Sequence, residues 1–265
     1  MANIRFILSL LIVATLLSCS KAEMKEKKFI KAMQSENFDE ANQAYDDFCK
    51  WIQSDKSTMK HDFKLMRDAL GMKVLTSDDG KVRLYSWVTS RTDSTCNYAN
   101  LVQWLTGDNL LAYNGPLDAM LTKRKPNIKR QWSLAHSIDT LFEIQDAKQP
   151  IYMIVESYVN EEGMSFSYIS AAVNSGITLS VLPFFFNGIE TAGNREYIDD
   201  GKVNKADLIK WDAKAKKLYS YLTDDSAHVI PGQYEVYELS NDRFVKLDQE
   251  LPTNQETTKK LNTIE

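Results

Sequence analysis

The chain has 265 residues, with 32 Lys and Arg against 36 Asp and Glu and a formal net charge of −4. A mildly acidic protein sets up no global field drawing it to nucleic acid, so no nucleic-acid partner is expected. Its 43% hydrophobic content is ordinary for a globular chain and excludes disorder as the default, since there is ample material for a core.

The chain opens MANIRFILSLLIVATLLSC. Arg5 and the amino terminus form a short positive region, and Phe6 to Leu17 is apolar. This run is shorter than the roughly 20 residues a membrane-spanning helix needs, and it fits the apolar core of an export signal. A plain cleaved secretory signal, with Cys19 there by chance, is the alternative. The order Leu16, Leu17, Ser18, Cys19 resembles the lipobox of bacterial lipoproteins. The resemblance implies a diacylglyceryl group on the Cys19 thiol, cleavage before Cys19, and a mature protein held at the cell envelope by acyl chains. Each buried CH₂ contributes about 0.8 kcal/mol, and two or more chains give stable attachment. Lys21 with Glu23 behind it faintly resembles the surface-export signals of Bacteroidota lipoproteins, so display on the periplasmic face or the outer surface both stay open.

The expected organisation is a signal peptide over 1–18, a lipid-anchored linker over 19–27, a helical segment over 28–71, an antiparallel β domain over 72–251 and a polar tail over 252–265. Asn37 is placed to cap a helix, with Glu40 as its capping-box partner. Phe38, Ala41, Tyr45, Phe48 and Ile52 recur on one face of that helix, and Met59, Phe63, Met66 and Leu70 mark a second one ending at Gly71. The stretch KAMQSENFDEANQAY resembles one helix–turn–helix of a tetratricopeptide repeat, but a single copy cannot build a continuous repeat core.

After Gly71 the pattern alternates. KVLTSDDGKVRLYSWVT reads as two strands around an Asp79–Gly80 turn. Further strands are expected at 98–105, 110–113, 151–159, 166–173, 177–182, 207–211, 217–222, 233–239 and 243–247, with 133–144 ambiguous between strand and helix. The fold class is therefore α+β, with N-terminal helices and a predominantly antiparallel β body of sandwich, barrel or propeller-like form. The phrase SDDGKVRLYSW resembles one in secreted β-rich proteins of Bacteroidota; that resemblance supports the strands and the compartment and brings no activity.

Chemistry is sparse. His61, His136 and His228 stand apart, and no metal-binding spacing, nucleophile elbow or phosphate-binding loop is present, so neither a metal nor a cofactor is implied. Cys49 and Cys96 could form a disulfide worth roughly 4 kcal/mol, or remain two separate thiols. Glu156 shares a strand face with Tyr152, Ile154 and Tyr158 and is the carboxylate to inspect for a hydrolase; an exposed or edge position is its structural alternative. Lys123–Arg130 is a basic run, either a solvated loop or a contact for acidic partners. Tyr85 and Trp87 lie opposite Val82 and Leu84, so this strand is either covered on both faces or presents an aromatic ledge suited to a glycan or an envelope protein. The expected role is binding or scaffolding at the envelope; a hydrolase, or an inhibitor with 123–130 as its protruding loop, is the alternative.

Overall fold

The computed structural model describes residues 21–91, 96–114, 136–145, 149–160, 162–176, 179–181, 185, 191–199, 201, 203–240 and 243–247. Among them, three α-helices precede three antiparallel sheets, an α+β fold with a β-rich body. Helix α1 is described over 21–33 and α2 spans Phe38–Ser54. A 3-10 turn at Lys56–Met59 then leads to α3, Lys64–Leu70. The linker expected over 19–27 is thus helical from residue 21, and Glu26 is 1% exposed because α1 packs on the other helices.

The Asn37 side chain accepts the N–H groups of Asp39 and Glu40, satisfying two of the orphan donors at the start of α2. Glu40 does not close a capping box directly. Its carboxylate takes the Ser35 hydroxyl (2.6 Å), and that oxygen accepts the Asn37 N–H (3.2 Å). The helix expected around Met59 to Leu70 is broken at Phe63, which adopts φ 53°. A left-handed bulky residue is costly, and full burial of its ring against Phe48, Trp51 and Tyr85 offsets that cost. Gly71 ends α3 at φ 62°, where a Cβ would be strained.

The first sheet is a meander of β1 (Lys73–Thr76), β2 (Val82–Arg91), β3 (Cys96–Thr106) and β4 (Asn109–Asn114). The second runs β5 (His136–Ile144), β6 (Ile151–Val159), β7 (Ser165–Asn174) and β8 (Leu179–Val181), with β9 (Thr191–Tyr197) also pairing β7. The third is again a meander, of β10 (Ile209–Asp212), β11 (Lys217–Thr223), β12 (Val229–Ser240) and β13 (Arg243–Lys246). The ambiguous segment is therefore a strand from His136 onward.

Three cores separate four layers. Phe29, Phe48, Trp51, Ile52 and Met66 of the helices pack on Tyr85, Trp87, Ala99 and Leu101 of the first sheet. The other face of that sheet presents Val82, Leu84, Val102 and Trp104 to Ile138, Tyr152, Ile154 and Ala172 of the second. The opposite face of the second sheet sends Met153, Val155, Ile169 and Ala171 against Leu218, Tyr221, Tyr237 and Phe244 of the third. The period of two along β6 explains this split, since successive side chains enter different cores.

Polar bonds join the layers. Buried Arg83 donates to the carbonyls of Thr58 and His61, and Gln103 donates to Ile52 O and Thr58 Oγ1. These bonds satisfy the Ile52 carbonyl in the last turn of α2 and carbonyls in and after the 3-10 turn. The Asp79 carboxylate accepts the Tyr152 hydroxyl (2.9 Å), and the Asp79 N–H donates to Glu143 (2.8 Å), tying the β1–β2 turn to the second sheet. Glu235, buried on β12, accepts from Arg195, Lys246 and Tyr237 between the second and third sheets.

Candidate ligand-binding groove

A groove of about 610 Å³ opens where the α1–α2 turn, the end of α3 and the end of β2 converge. Trp87 and Tyr45 lie at its floor, Met33 and Leu70 give apolar walls, and Gln34, Glu36, Asn42 and Thr89 line it with polar groups. Its size falls within the range of small-ligand clefts. The sequence builds it from two chain reversals. The Asn37 cap turns α1 into α2, and Gly71 turns α3 into β1. Gln34 Nε2 donates to Ala69 O (3.4 Å), linking the two reversals. Trp87 is held by Tyr45 (5.7 Å between ring centroids) and by Phe48 edge-on at 6.0 Å.

The open ledge expected at Tyr85 and Trp87 is corrected by this packing. Tyr85 is 0% and Trp87 4% exposed, because the helical layer covers their face. Tyr85 gives its hydroxyl to Gln103 Oε1 at 2.7 Å, and burial pushes its phenol upward. Trp87 alone of the pair lines the groove. Tyr45, Asn42 and Thr89 escaped the sequence reading as site residues. Tyr45 carried a signal, as part of the apolar stripe of α2, but a stripe does not say which end stays open.

Glu156 is neither exposed nor at an edge: it is 2% exposed on β6, a strand paired on both sides. Its carboxylate accepts the Tyr168 hydroxyl (3.0 Å), and Tyr168 Oη lies 3.0 Å from His136 Nδ1. A phenol has one proton, so with Tyr168 donating to Glu156 it is Nδ1 of His136 that donates to Tyr168. Beside this chain, the rings of His136, Tyr158 and Phe166 stack across three strands at 4.6 and 4.8 Å. The chain can orient a proton, but Glu156 lines neither the groove nor the smaller hollows of about 390 and 240 Å³.

Cys19 and the basic run 123–130 lie outside the described residues. Cys49 is half-buried on α2; Cys96 opens β3, and its side chain lies outside the described part, so the pairing of the two stays an expectation. Among the described residues, no helix is long and apolar enough to cross a membrane, and no group of three or more His, Cys, Asp or Glu is placed to hold a metal.

No protein-family model matches the chain, and no curated protein and no solved structure matches it.

Proposed function

We propose that the protein is a lipid-anchored binding component of the cell envelope, held through Cys19 and accepting a segment of another envelope protein in the groove floored by Trp87. The groove carries this reading: apolar floor and walls combine with amide and hydroxyl groups along its rim. A glycan would gain most from an open aromatic face. Trp87, almost wholly covered, offers no such face, whereas a narrow peptide segment can place an apolar side chain between the half-buried Met33 and Leu70 and hydrogen-bond the rim. The hydrolase reading rests on Glu156, and its hydrogen-bonded chain to His136 favours it; the three hollows above give it no substrate space.

A photoreactive amino acid at Asn42, in cells, tests the groove. A discrete protein adduct is expected there, lost on Thr89→Arg, which fills the groove from an edge without touching the core. An adduct pattern identical to that from a photoreactive residue at Lys214 would refute the site, and a carbohydrate adduct would replace the partner with a glycan. Labelling with an alkyne fatty acid, abolished by Cys19→Ala, tests the anchor separately.

A further inference from the structure

The described part of α1 begins two residues after Cys19 and is rich in lysine. Glu26, Phe29 and, in part, Ala22, Ile30 and Met33 face inward. On the opposite side Met24 is 62% exposed, the most exposed large apolar side chain among the described residues. Lys21, Lys27, Lys28 and Lys31 are also exposed and stand three, four and seven positions from Met24, which places them around it on one helical face. Lys25 leans the other way, its ammonium 4.8 Å from the Trp51 ring centroid. Glu23, at the flank, is the exposed carboxylate of this helix, since Glu26 is turned inward to His61 (2.7 Å) and the Met66 N–H (3.0 Å).

We infer that this outward face of α1 is a membrane-docking surface that binds the anionic phosphate headgroups of the bilayer holding the anchor. The inference rests on the anchoring reading. Charge complementarity and the place where the chain meets its lipid select the occupant. Helix is already present two residues past the cysteine, which keeps α1 close to the headgroups on the anchoring reading. Four ammonium groups around a thioether match an interface that is anionic above and apolar beneath. Asp47 on the neighbouring α2 lies within reach of the Lys28 charge, but four lysines against Glu23 still leave the outward face of α1 net positive. Docked this way, the protein holds its groove beside the membrane surface, because the groove begins at the far end of α1, about 18 Å from residue 21 at 1.5 Å per residue.

Co-sedimentation tests the surface without the anchor. The chain from residue 20 onward retains every described residue and lacks Cys19. At low salt it should sediment with vesicles that are half phosphatidylglycerol at about millimolar lipid, as expected for four lysines at an anionic surface. It should not sediment with pure phosphatidylcholine, and about 0.5 M salt should release it. Replacing Lys27, Lys28 and Lys31 with Gln should weaken partitioning about tenfold or more. Replacing Lys205, Lys214 and Lys216, beside and within the third sheet, should leave it unchanged. Absence of binding, equal binding to neutral vesicles, or full binding by the α1 variant would overturn the inference. Failure of the anchoring reading registers elsewhere, as absent fatty-acid labelling of the full chain at Cys19.

Discussion

Glu143 and Asp79 meet at one turn and respond to pH in opposite directions. Burial pushes the Glu143 carboxyl above its ordinary value near 4.5, with the charge of Asp79 adding to the effect. Burial acts on Asp79 in the same sense, but its hydrogen bonds from Ser77, Lys81 and Tyr152 prevail and hold it below 3.8. A raised acid binds more protons folded than unfolded, so Glu143 costs stability as pH rises above about 4.5. Glu143→Gln keeps an acceptor for the Asp79 N–H and removes that cost. Its melting temperature should exceed the parent's at pH 7, and the advantage should shrink as pH falls through 4.5; a constant difference across that range would refute the assignment. Trp87 gives a second residue-scale prediction. Trp87→Ala should cost about 3–5 kcal/mol in denaturant unfolding, because a nearly buried aromatic leaves a cavity.

At the scale of elements, caps and alternation decide the outcome. Asn37→Ala removes the side-chain acceptor of two N–H groups and should cost about 1 kcal/mol, read as a lowered urea midpoint at unchanged slope. This cap was legible in the sequence, as were Gly71, the Asp79–Gly80 hairpin and most strands, because each depends on neighbours in the chain. The break at Phe63 was not, since it is stabilised by Phe48, Trp51 and Tyr85, which the chain brings together only in three dimensions. Strand β9, TAGNREY, was missed because it lacks alternation; it is a strand through its pairing with β7. The candidate site was half legible. The apolar character of both faces of β2 was readable, but which layer covers each face, and that the helices leave an opening beside Trp87, depends on layer order.

For the whole molecule, the layer order places ionic contacts between sheets and makes each face depend on its neighbour. Burial would push Glu235 upward, but the Lys246 ammonium, the Tyr237 hydroxyl and Arg195 outweigh it and hold the carboxyl below 4.5. A depressed acid stabilises the fold above its unfolded value, and that stability is lost as pH falls through the folded value. Glu235→Gln should therefore lose about 1.5–3 kcal/mol at pH 7, toward the lower end because Lys246 is half exposed, and the gap should close in acid. The helical layer has the larger role. It buries Tyr85, Trp87, Ala99 and Leu101 on one face of the first sheet, and supplies the carbonyls that Arg83 and Gln103 require. A chain starting at residue 72 would bare that aromatic face and leave a guanidinium and an amide without those acceptors. Exposed apolar faces of this kind drive association. The truncated chain should bind a hydrophobic dye strongly and self-associate in size-exclusion chromatography, whereas the chain from residue 20 should do neither. Monomeric, dye-silent behaviour of the truncated chain would show that the β layers are self-sufficient and that the helices serve the membrane and the groove alone.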